Sequence, residues 1–343
     1  MVAIPTVDLS EFHTSARPTL LARIDEAYRD VGFLEVVGHG VSPALISEMQ
    51  RVTTAFFDRS LESKLAYVTP PEANRGYAPP GAEALSYSAG LETPPDLFQA
   101  YNAGAQIHTV DPATRPAHHA GLYHENVWPD APADMQDVWE EYMAVVAALA
   151  QHMLRILGAA LGVDDDFFVA RADQAPDVLR ALDYRHFGED RLAPGQMRLG
   201  AHSDYGMCTM LLADPVPGLQ VLGADHLWHH VVPTPGTYVV NIGDMLAAWT
   251  NDRWRSSVHR VVPAQGDQPV HRRSFAYFHE ANPDAVIEPL PTCVDADNPA
   301  RYEPISAGDH LYAKIVSPRS MKPTTAVQTT ADRADVLLEP TET

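Results

Sequence analysis

Residues 201–212 read AHSDYGMCTMLL, a mostly apolar, strand-like run that begins with two ionisable residues, His202 and Asp204. In an extended chain, side chains two positions apart point to the same face. Because an unpaired imidazole or carboxylate is costly to bury, we expect both side chains to meet one shared partner. A His-x-Asp pair alone is a weak signal in a chain with 16 histidines. The rest of the sequence must indicate what that partner is.

His259, which opens the β-like run HRVV, supplies a third candidate ligand. Two imidazoles and one carboxylate on one face form the facial triad that leaves open positions on non-haem Fe(II). The same donors can hold zinc, so a zinc hydrolase or a binding protein is an alternative. The chain has only two cysteines, Cys208 and Cys293, which are too few for a thiolate zinc site or a disulfide framework.

The run RRSFAYF at residues 272–278 predicts a strand whose inner face carries a binding site for an anion. By alternation Arg272, Ser274 and Phe278 share one face, whereas Arg273 takes the other. A guanidinium can hold a carboxylate with two parallel hydrogen bonds, and a nearby hydroxyl can donate as well. We therefore expect this face to hold a dicarboxylate by its far end, with Phe278 lining the pocket.

The composition restricts the partners of the protein. The formal net charge of −21 disfavours binding to nucleic acid or to anionic lipid. The N-terminal residues lack a basic region followed by a long apolar stretch, and no run of about 18 apolar residues occurs. We expect a cytoplasmic protein, a monomer or weak homo-oligomer, that acts on a small molecule, and the charge favours a neutral or cationic one.

The sequence predicts one catalytic domain over residues 1–343, with a helix-rich part (1–175) before a β core (176–320). Apolar periodicity predicts a helix that ends at Gly32, a second that begins near Pro43, and a long one over about 133–161. Residues 69–125 are expected to form long loops, and residues 322–343 a mobile tail. Short β-rich runs from about residue 178 indicate a sandwich or barrel. Asn241 and Asp244 are expected to fix a turn.

Several motifs, taken in order, resemble one known family over nearly the whole chain. They are DVGFLEVVGHGV, LRALDY, LGAHSDYG, PGLQVL, VVNIGDMLAAWTNDRWRSSVHRVV, RRSFAYF and RYEPISAGDHL. The sequence is similar to the 2-oxoglutarate/Fe(II)-dependent dioxygenases of the isopenicillin N synthase-like branch, and to its bacterial members in character. The resemblance implies a mainly β, α+β fold: a double-stranded β-helix, or jelly roll, with flanking N-terminal helices and one long helix.

The resemblance also implies a site and a reaction. His202, Asp204 and His259 would bind Fe(II), Arg272 and Ser274 would hold the distal carboxylate of 2-oxoglutarate, and Tyr184 would lie close to that cosubstrate. With O2, and with ascorbate as an accessory reductant, such an enzyme forms succinate and CO2 from 2-oxoglutarate. It couples this step to hydroxylation, desaturation or cyclisation of a small molecule, here expected in secondary metabolism such as antibiotic biosynthesis.

Two questions stay open at this point. The irregular segment before the β core contributes to the substrate pocket in such relatives, and its candidate lining residues are Tyr77, Glu83, Tyr87 and Phe98. The arginine-serine pair is also kept by members that use no 2-oxoglutarate, so an isopenicillin N synthase-like Fe(II) oxidase is an alternative. The chain departs from the family at Asp183, where Asn is frequent, and at Arg273, where an apolar residue is usual. We expect Arg273 to point outward.

Overall fold

The computed structural model describes residues 4–105, 122–185, 193–263 and 271–321. Its strands are β1 (Thr6–Asp8), β2 (Phe33–Val37), β3 (Gly76–Ala78), β4 (Gln99–Gly104), β5 (Val178–Tyr184), β6 (Leu199–His202), β7 (Cys208–Ala213), β8 (Leu219–Leu222), β9 (Trp228–Val231), β10 (Tyr238–Ile242), β11 (His259–Val261), β12 (Arg272–His279), β13 (Val286–Ile287) and β14 (Ile305–Ser306). Its α-helices are α1 (Arg17–Asp30), α2 (Pro43–Phe57), α3 (Leu61–Leu65), α4 (Met135–Ala160), α5 (Asp244–Trp249) and α6 (Ala307–Ser320).

Two sheets pack against each other and form the predicted β core. The larger has the order β1-β2-β10-β7-β12-β5-β4-β3, and the smaller has the order β6-β11-β8-β9. Apolar side chains from both sheets meet between them, for example Leu182 and Ala276 of the larger sheet with Leu199 and Val261 of the smaller. The mainly β architecture with helical additions, expected from the sequence, is confirmed.

The helices α1, α2 and α4 cover the outer face of the larger sheet. The apolar face of α4, whose periodicity predicted the helix, is largely buried, and Trp139 Nε1 donates to Thr53 Oγ1 of α2 at 3.1 Å. The Tyr142 and Tyr238 hydroxyls hydrogen-bond at 2.8 Å, which joins α4 to β10. By length and composition α4 could cross a membrane, but this packing gives it the role of a core helix.

Two sequence predictions about the architecture were wrong. Residues 69–125 do not form only loops, because β3 and β4 extend the larger sheet and all six residues of β4 are buried. The sequence QAYNAG of β4 has weak strand propensity, so its pairing with β5 decides its conformation. AHSDYGMCTMLL does not form one strand either. It forms the end of β6 and most of β7, which belong to different sheets.

Parts of some predictions fall on residues that the structure does not describe. These residues are 1–3, 106–121, 186–192, 264–270 and 322–343. The expected mobile tail lies among them, as does the middle of the segment expected to be looped. The single catalytic domain stays a prediction, although four strands of the N-terminal part, β1 to β4, pair into the same sheet as the core strands.

Candidate active site

Three side chains meet where the chain passes from the smaller to the larger sheet. His202 ends β6, His259 begins β11, and the two are direct partners across these antiparallel strands. Asp204 lies just beyond β6, and its Oδ1 is 3.8 Å from the Nε2 atoms of both histidines. All three residues are buried. Among the described residues, this is the group of three His, Cys, Asp or Glu side chains whose ligand atoms lie close enough to hold a metal ion.

The neighbouring polar groups fix how these side chains point. A backbone carbonyl accepts from each imidazole: Gly200 O from His202 Nδ1 at 2.8 Å, and Ser257 O from His259 Nδ1 at 3.2 Å. Because Nδ1 carries the proton in both rings, Nε2 keeps a free lone pair toward the shared point. Burial, and then the imidazole of His259, lower the pKa of His202 to about 3, so His202 is the neutral ligand that a metal requires.

Asp204 is held by two groups that the sequence analysis did not assign to the site. Its Oδ2 accepts from Thr209 Oγ1 at 2.5 Å and from Asn241 Nδ2 at 2.6 Å, which leaves Oδ1 facing the imidazoles. Asn241 was expected to fix a turn, whereas it lies in β10 opposite Thr209 of β7. Two imidazole nitrogens and one oriented carboxylate oxygen, without a thiolate, fit Fe(II).

The cosubstrate residues form one end of the same cavity. Arg272 is 1% exposed, and in the described structure its Nε and Nη1 have no hydrogen-bond acceptor. Its guanidinium lies 5.1 Å from the ring centre of Tyr184. Burial raises the pKa of Tyr184, opposed by the charge of Arg272 and a hydrogen bond with Ser274. The structure therefore brings Arg272, Ser274 and Tyr184 together as an anion site with unused donors.

The cavity, about 1120 Å³ with its open mouth, extends from Arg272 past the triad to helix α6. Phe278 and Glu83 line it, as the sequence predicted. The other three predicted lining residues lie elsewhere. Tyr77 donates to Gln99 Oε1 at 2.7 Å and packs against Phe56 of α2. Phe98 lies behind the wall against Tyr184, and Tyr87 is half-buried outside the lining. These three predictions assumed that one irregular segment faces the cavity throughout.

Helix α6 lines the same cavity, and no role was predicted for it from the sequence. Its lining residues are Leu311, Ile315, Pro318 and Arg319. The apolar pattern of α6 is weak and Pro318 lies inside it, so periodicity does not indicate a helix.

A buried ion-pair cluster forms part of the cavity wall beside α6. Arg180 Nη2 is 2.8 Å from Glu83 Oε2, and Arg319 Nε is 3.4 Å from Glu83 Oε1. Burial would raise the pKa of Glu83, but Arg180 and then Arg319 hold it below its ordinary value.

Asp244 connects α6 to the chain around the ligands. Its Oδ1 accepts from Ser256 Oγ at 2.7 Å, and its Oδ2 accepts from Ser203 Oγ at 3.1 Å. Lys314 of α6 forms an ion pair with the same Oδ2 at 3.1 Å. Asp244 therefore does more than fix a turn, because it contacts the segments before His259 and between His202 and Asp204.

Together, the jelly roll, the His-Asp-His cluster and the buried arginine define a non-haem iron oxygenase with a carboxylate cosubstrate. Two family models match the chain, "non-haem dioxygenase in morphine synthesis N-terminal" over residues 4–131 and "2OG-Fe(II) oxygenase superfamily" over residues 176–281. The chain belongs to the 2-oxoglutarate/Fe(II)-dependent oxygenase superfamily, and it is a dioxygenase that uses Fe(II) and 2-oxoglutarate.

Individual relatives agree with this membership. A homoarginine-6-hydroxylase of Oryza sativa subsp. japonica is 31% identical over 302 residues, which cover 86% of this chain and 88% of the relative. The 2-oxoglutarate-Fe(II) type oxidoreductase hxnY of Emericella nidulans is 32% identical, with 90% and 88% covered. The crystal structure of a full-length Neurospora crassa protein in complex with alpha-KG and thymine has a TM-score of 0.78 at 28% identity, covering 91% of this chain and 96% of that one.

Proposed function

We propose that this enzyme couples the conversion of 2-oxoglutarate to succinate and CO2 to the hydroxylation of a small molecule of secondary metabolism. The observation that carries the proposal is the buried guanidinium of Arg272, two of whose donors have no acceptor within the described residues. A carboxylate from outside the chain would give this guanidinium an acceptor. In an oxidase that uses no 2-oxoglutarate, the alternative, another anion would have to pair with these donors, because each donor left unpaired costs roughly 1–3 kcal/mol.

The roles of the residues follow from their positions. His202, Asp204 and His259 would hold iron, which when bound supplies the oxygen chemistry that side chains lack. Arg272 and Ser274 would fix the far end of the cosubstrate, and the apolar walls between the sheets exclude water from it. The wall beyond the triad, with Phe278 and α6, would then determine which carbon of the substrate is within reach.

We also propose a cytoplasmic location. The two cysteines, Cys208 and Cys293, are both free and buried. Unpaired thiols are usual where the compartment is reducing. Fractionation of cells of the source organism, with detection of the protein by antibody, tests this proposal.

Succinate release tests the function. The iron-loaded enzyme is incubated with 2-oxoglutarate and a panel of small molecules that includes homoarginine, after which one relative is named, and thymine, the compound bound in the Neurospora crassa structure. A substrate should stimulate succinate release in equal amounts with a product heavier by one oxygen atom. His202→Ala and Asp204→Ala should abolish both. Oxygen uptake without consumption of 2-oxoglutarate would instead support the oxidase.

A further inference from the structure

The carboxyl group of Glu280 lies in the cavity wall and takes no part in the iron or 2-oxoglutarate sites. Glu280 follows the last residue of β12, and by alternation it shares a face with Arg272 and Phe278. At the usual rise of about 3.3 Å per residue, Arg272 and Glu280 are roughly 26 Å apart along the chain. One strand face therefore carries the cosubstrate arginine at its start and an acidic group just beyond its end.

Glu280 is buried without a partner. It is 5% exposed, and its Oε2 accepts no hydrogen bond from the described part of the chain. The nearby Asp177 offers Glu280 no cation, because it is itself a carboxylate, whose Oδ2 accepts from Tyr277 Oη and His279 Nδ1. Burial, followed by the charges of Asp177 and Asp204, raises the pKa of Glu280 well above its ordinary value.

Glu83, a second buried carboxyl group in the cavity wall, has charged partners and a structural role. It is equally buried, but Arg180 and Arg319 form ion pairs with it. Buried charges in proteins are normally paired in this way. No ion pair involves Glu280 among the described residues. A cation that pairs with its carboxylate would therefore have to belong to a molecule that enters the cavity.

Gly206, two residues after the metal ligand Asp204, leaves space for the carboxyl group of Glu280. A Cβ atom on Gly206 would lie 2.3 Å from Glu280 Oε2 and 2.9 Å from the carbonyl oxygen of His279. The φ of Gly206 is not positive, so the backbone conformation does not require glycine there. Gly206 is needed because any side chain would displace the carboxyl group or the end of β12.

We propose that Glu280 binds a cationic nitrogen of the substrate, an ammonium or a guanidinium, in the part of the cavity away from Arg272. This inference rests on the proposed function. A charged N–H group would give the carboxylate its missing hydrogen bond in a water-poor site, and the negative charge of Asp177 would add to the attraction. A neutral analogue of the same shape lacks that charge and should bind at least tenfold more weakly.

Matched pairs of probes test this proposal. The pairs are L-homoarginine with L-homocitrulline, L-arginine with L-citrulline, and L-lysine with N6-acetyl-lysine, of which only the first member has a charged side chain. Binding to the protein loaded with Fe(II) and 2-oxoglutarate is measured by anaerobic calorimetry, and succinate release is measured in air. At least one cationic member should bind at least tenfold more tightly than its neutral counterpart. Glu280→Gln should bring that ratio close to one, whereas Glu288→Gln, on the exposed surface, should leave it unchanged.

Three results would overturn the role of Glu280. In the first, no cationic probe binds more tightly than its neutral counterpart. In the second, Glu280→Gln keeps the preference for the cationic probe. In the third, Glu280→Gln unfolds at a lower temperature than the wild type when no probe is present. The last would indicate a structural role, since removal of an unpaired buried carboxyl should leave the unfolding temperature equal or higher. Slow succinate release by the iron-loaded enzyme without probe separates the two proposals. If the enzyme releases succinate without probe but shows no preference for cationic probes, the proposed function stands and only the role of Glu280 is contradicted.

Discussion

At the scale of single residues, the two oxygens of Asp204 have different tasks. Oδ1 faces the imidazoles of His202 and His259, while Oδ2 accepts from Thr209 and Asn241. This division prevents the carboxylate from rotating and presents one oxygen to the metal. Groups that orient a ligand in this way commonly contribute 10- to 100-fold to metal affinity.

Asn241→Ala and Thr209→Val should each weaken Fe(II) binding by about 10-fold or more, because Asp204 loses one of the donors that orient it. Thr209→Ser keeps the hydroxyl and should bind Fe(II) like the wild type. Anaerobic equilibrium dialysis measures the affinity directly. If Thr209→Val and Thr209→Ser bind Fe(II) equally well, the hydroxyl has no orienting role.

The triad residues and Arg272 could be predicted because the spacing within two short motifs suggested them and the resemblance of the ordered motifs to a known family implied their roles. His202 and Asp204 lie two positions apart, and Arg272 and Ser274 share one face of a strand. Thr209 and Asn241 could not be predicted in the same way. Their side chains reach Asp204 only because β7 pairs with β10, and nothing local in either strand specifies that register.

At the scale of secondary structure, the two departures from the family pattern compensate each other. Asp183 of β5 and Arg273 of β12 are direct cross-strand partners, and Arg273 Nε is 2.9 Å from Asp183 Oδ1. Arg273 points to the face opposite Arg272, as expected from the sequence, and packs under α2, where it donates to Thr54 Oγ1 at 2.6 Å. Burial would raise the pKa of Asp183, but hydrogen bonds from His271, Arg185 and Gln99 hold it well below its ordinary value.

Asp183→Asn should lower the free energy of unfolding at pH 7 by about 2–4 kcal/mol. Removing one partner of a buried pair costs about 3–5 kcal/mol, and the partial exposure of Arg273 and Arg185 reduces that cost. Because the folded-state pKa is lowered, the contribution is present above about pH 4, the unfolded value, and is lost as the pH falls further. Urea unfolding at pH 7 and pH 3 measures it. A difference from wild type that stays constant would contradict this account, and adding Arg273→Val should recover part of the loss at pH 7.

The turn between α1 and β2 supports His259 from the N-terminal part. Gly32 has a φ of 75°, and a Cβ atom there would lie 2.4 Å from the carbonyl oxygen of Arg255. Ser257 Oγ donates to Val31 O at 2.7 Å, and Ser257 O in turn accepts from His259. The end of α1 thus contacts the segment that orients a metal ligand.

Gly32→Ala should therefore lower both the unfolding temperature and the Fe(II) affinity, because the 255–257 segment must move away from the new methyl group. Gly236→Ala is the matched control. Gly236 has a φ of 79°, but no atom lies within 4 Å of the added Cβ. Gly236→Ala should therefore lower the unfolding temperature and leave the Fe(II) affinity unchanged. Thermal unfolding and Fe(II) titration of both variants are compared. Equal Fe(II) affinities would show that the contact with Arg255 does not position His259.

At the scale of the whole molecule, the proposed function divides the cavity between cosubstrate and substrate. Arg272 lies at one end, and α6 lines the cavity beyond the triad. Arg319 holds the end of α6 through Glu83 and through the carbonyl oxygen of Pro71, to which its Nη1 donates at 2.9 Å. Groups at the α6 end should therefore affect the substrate without affecting 2-oxoglutarate.

Arg319→Gln should raise the KM for the substrate identified by succinate release at least fivefold and leave the KM for 2-oxoglutarate within twofold. Loss of the contacts to Glu83 and Pro71 loosens the wall on the substrate side only. Arg301→Gln, at an exposed arginine of the same chain, should change neither constant. Equal increases in both constants would contradict the division of the cavity.

The general architecture could be read from the sequence, but the closure of the cavity could not. The short β-rich runs after residue 178 correspond to strands, since apolar and β-branched residues are dense there. β4 and α6 were missed because β4 depends on pairing with β5, and α6 on its ion pairs with Asp244 and Glu83. Tyr77 was wrongly predicted to line the pocket because its orientation is set by the pairing of β3 with β4, which the sequence does not reveal.

The central claim is that the triad and Arg272 form one site for Fe(II) and 2-oxoglutarate. Anaerobic titration of the Fe(II) protein with 2-oxoglutarate, followed by the visible charge-transfer absorption of the chelate, tests it most directly. The wild type should develop the band with one equivalent of 2-oxoglutarate, and Arg272→Gln should need at least tenfold more cosubstrate. Asp204→Ala should develop none. No band in the wild type, or equal 2-oxoglutarate affinity in Arg272→Gln, would contradict the claim.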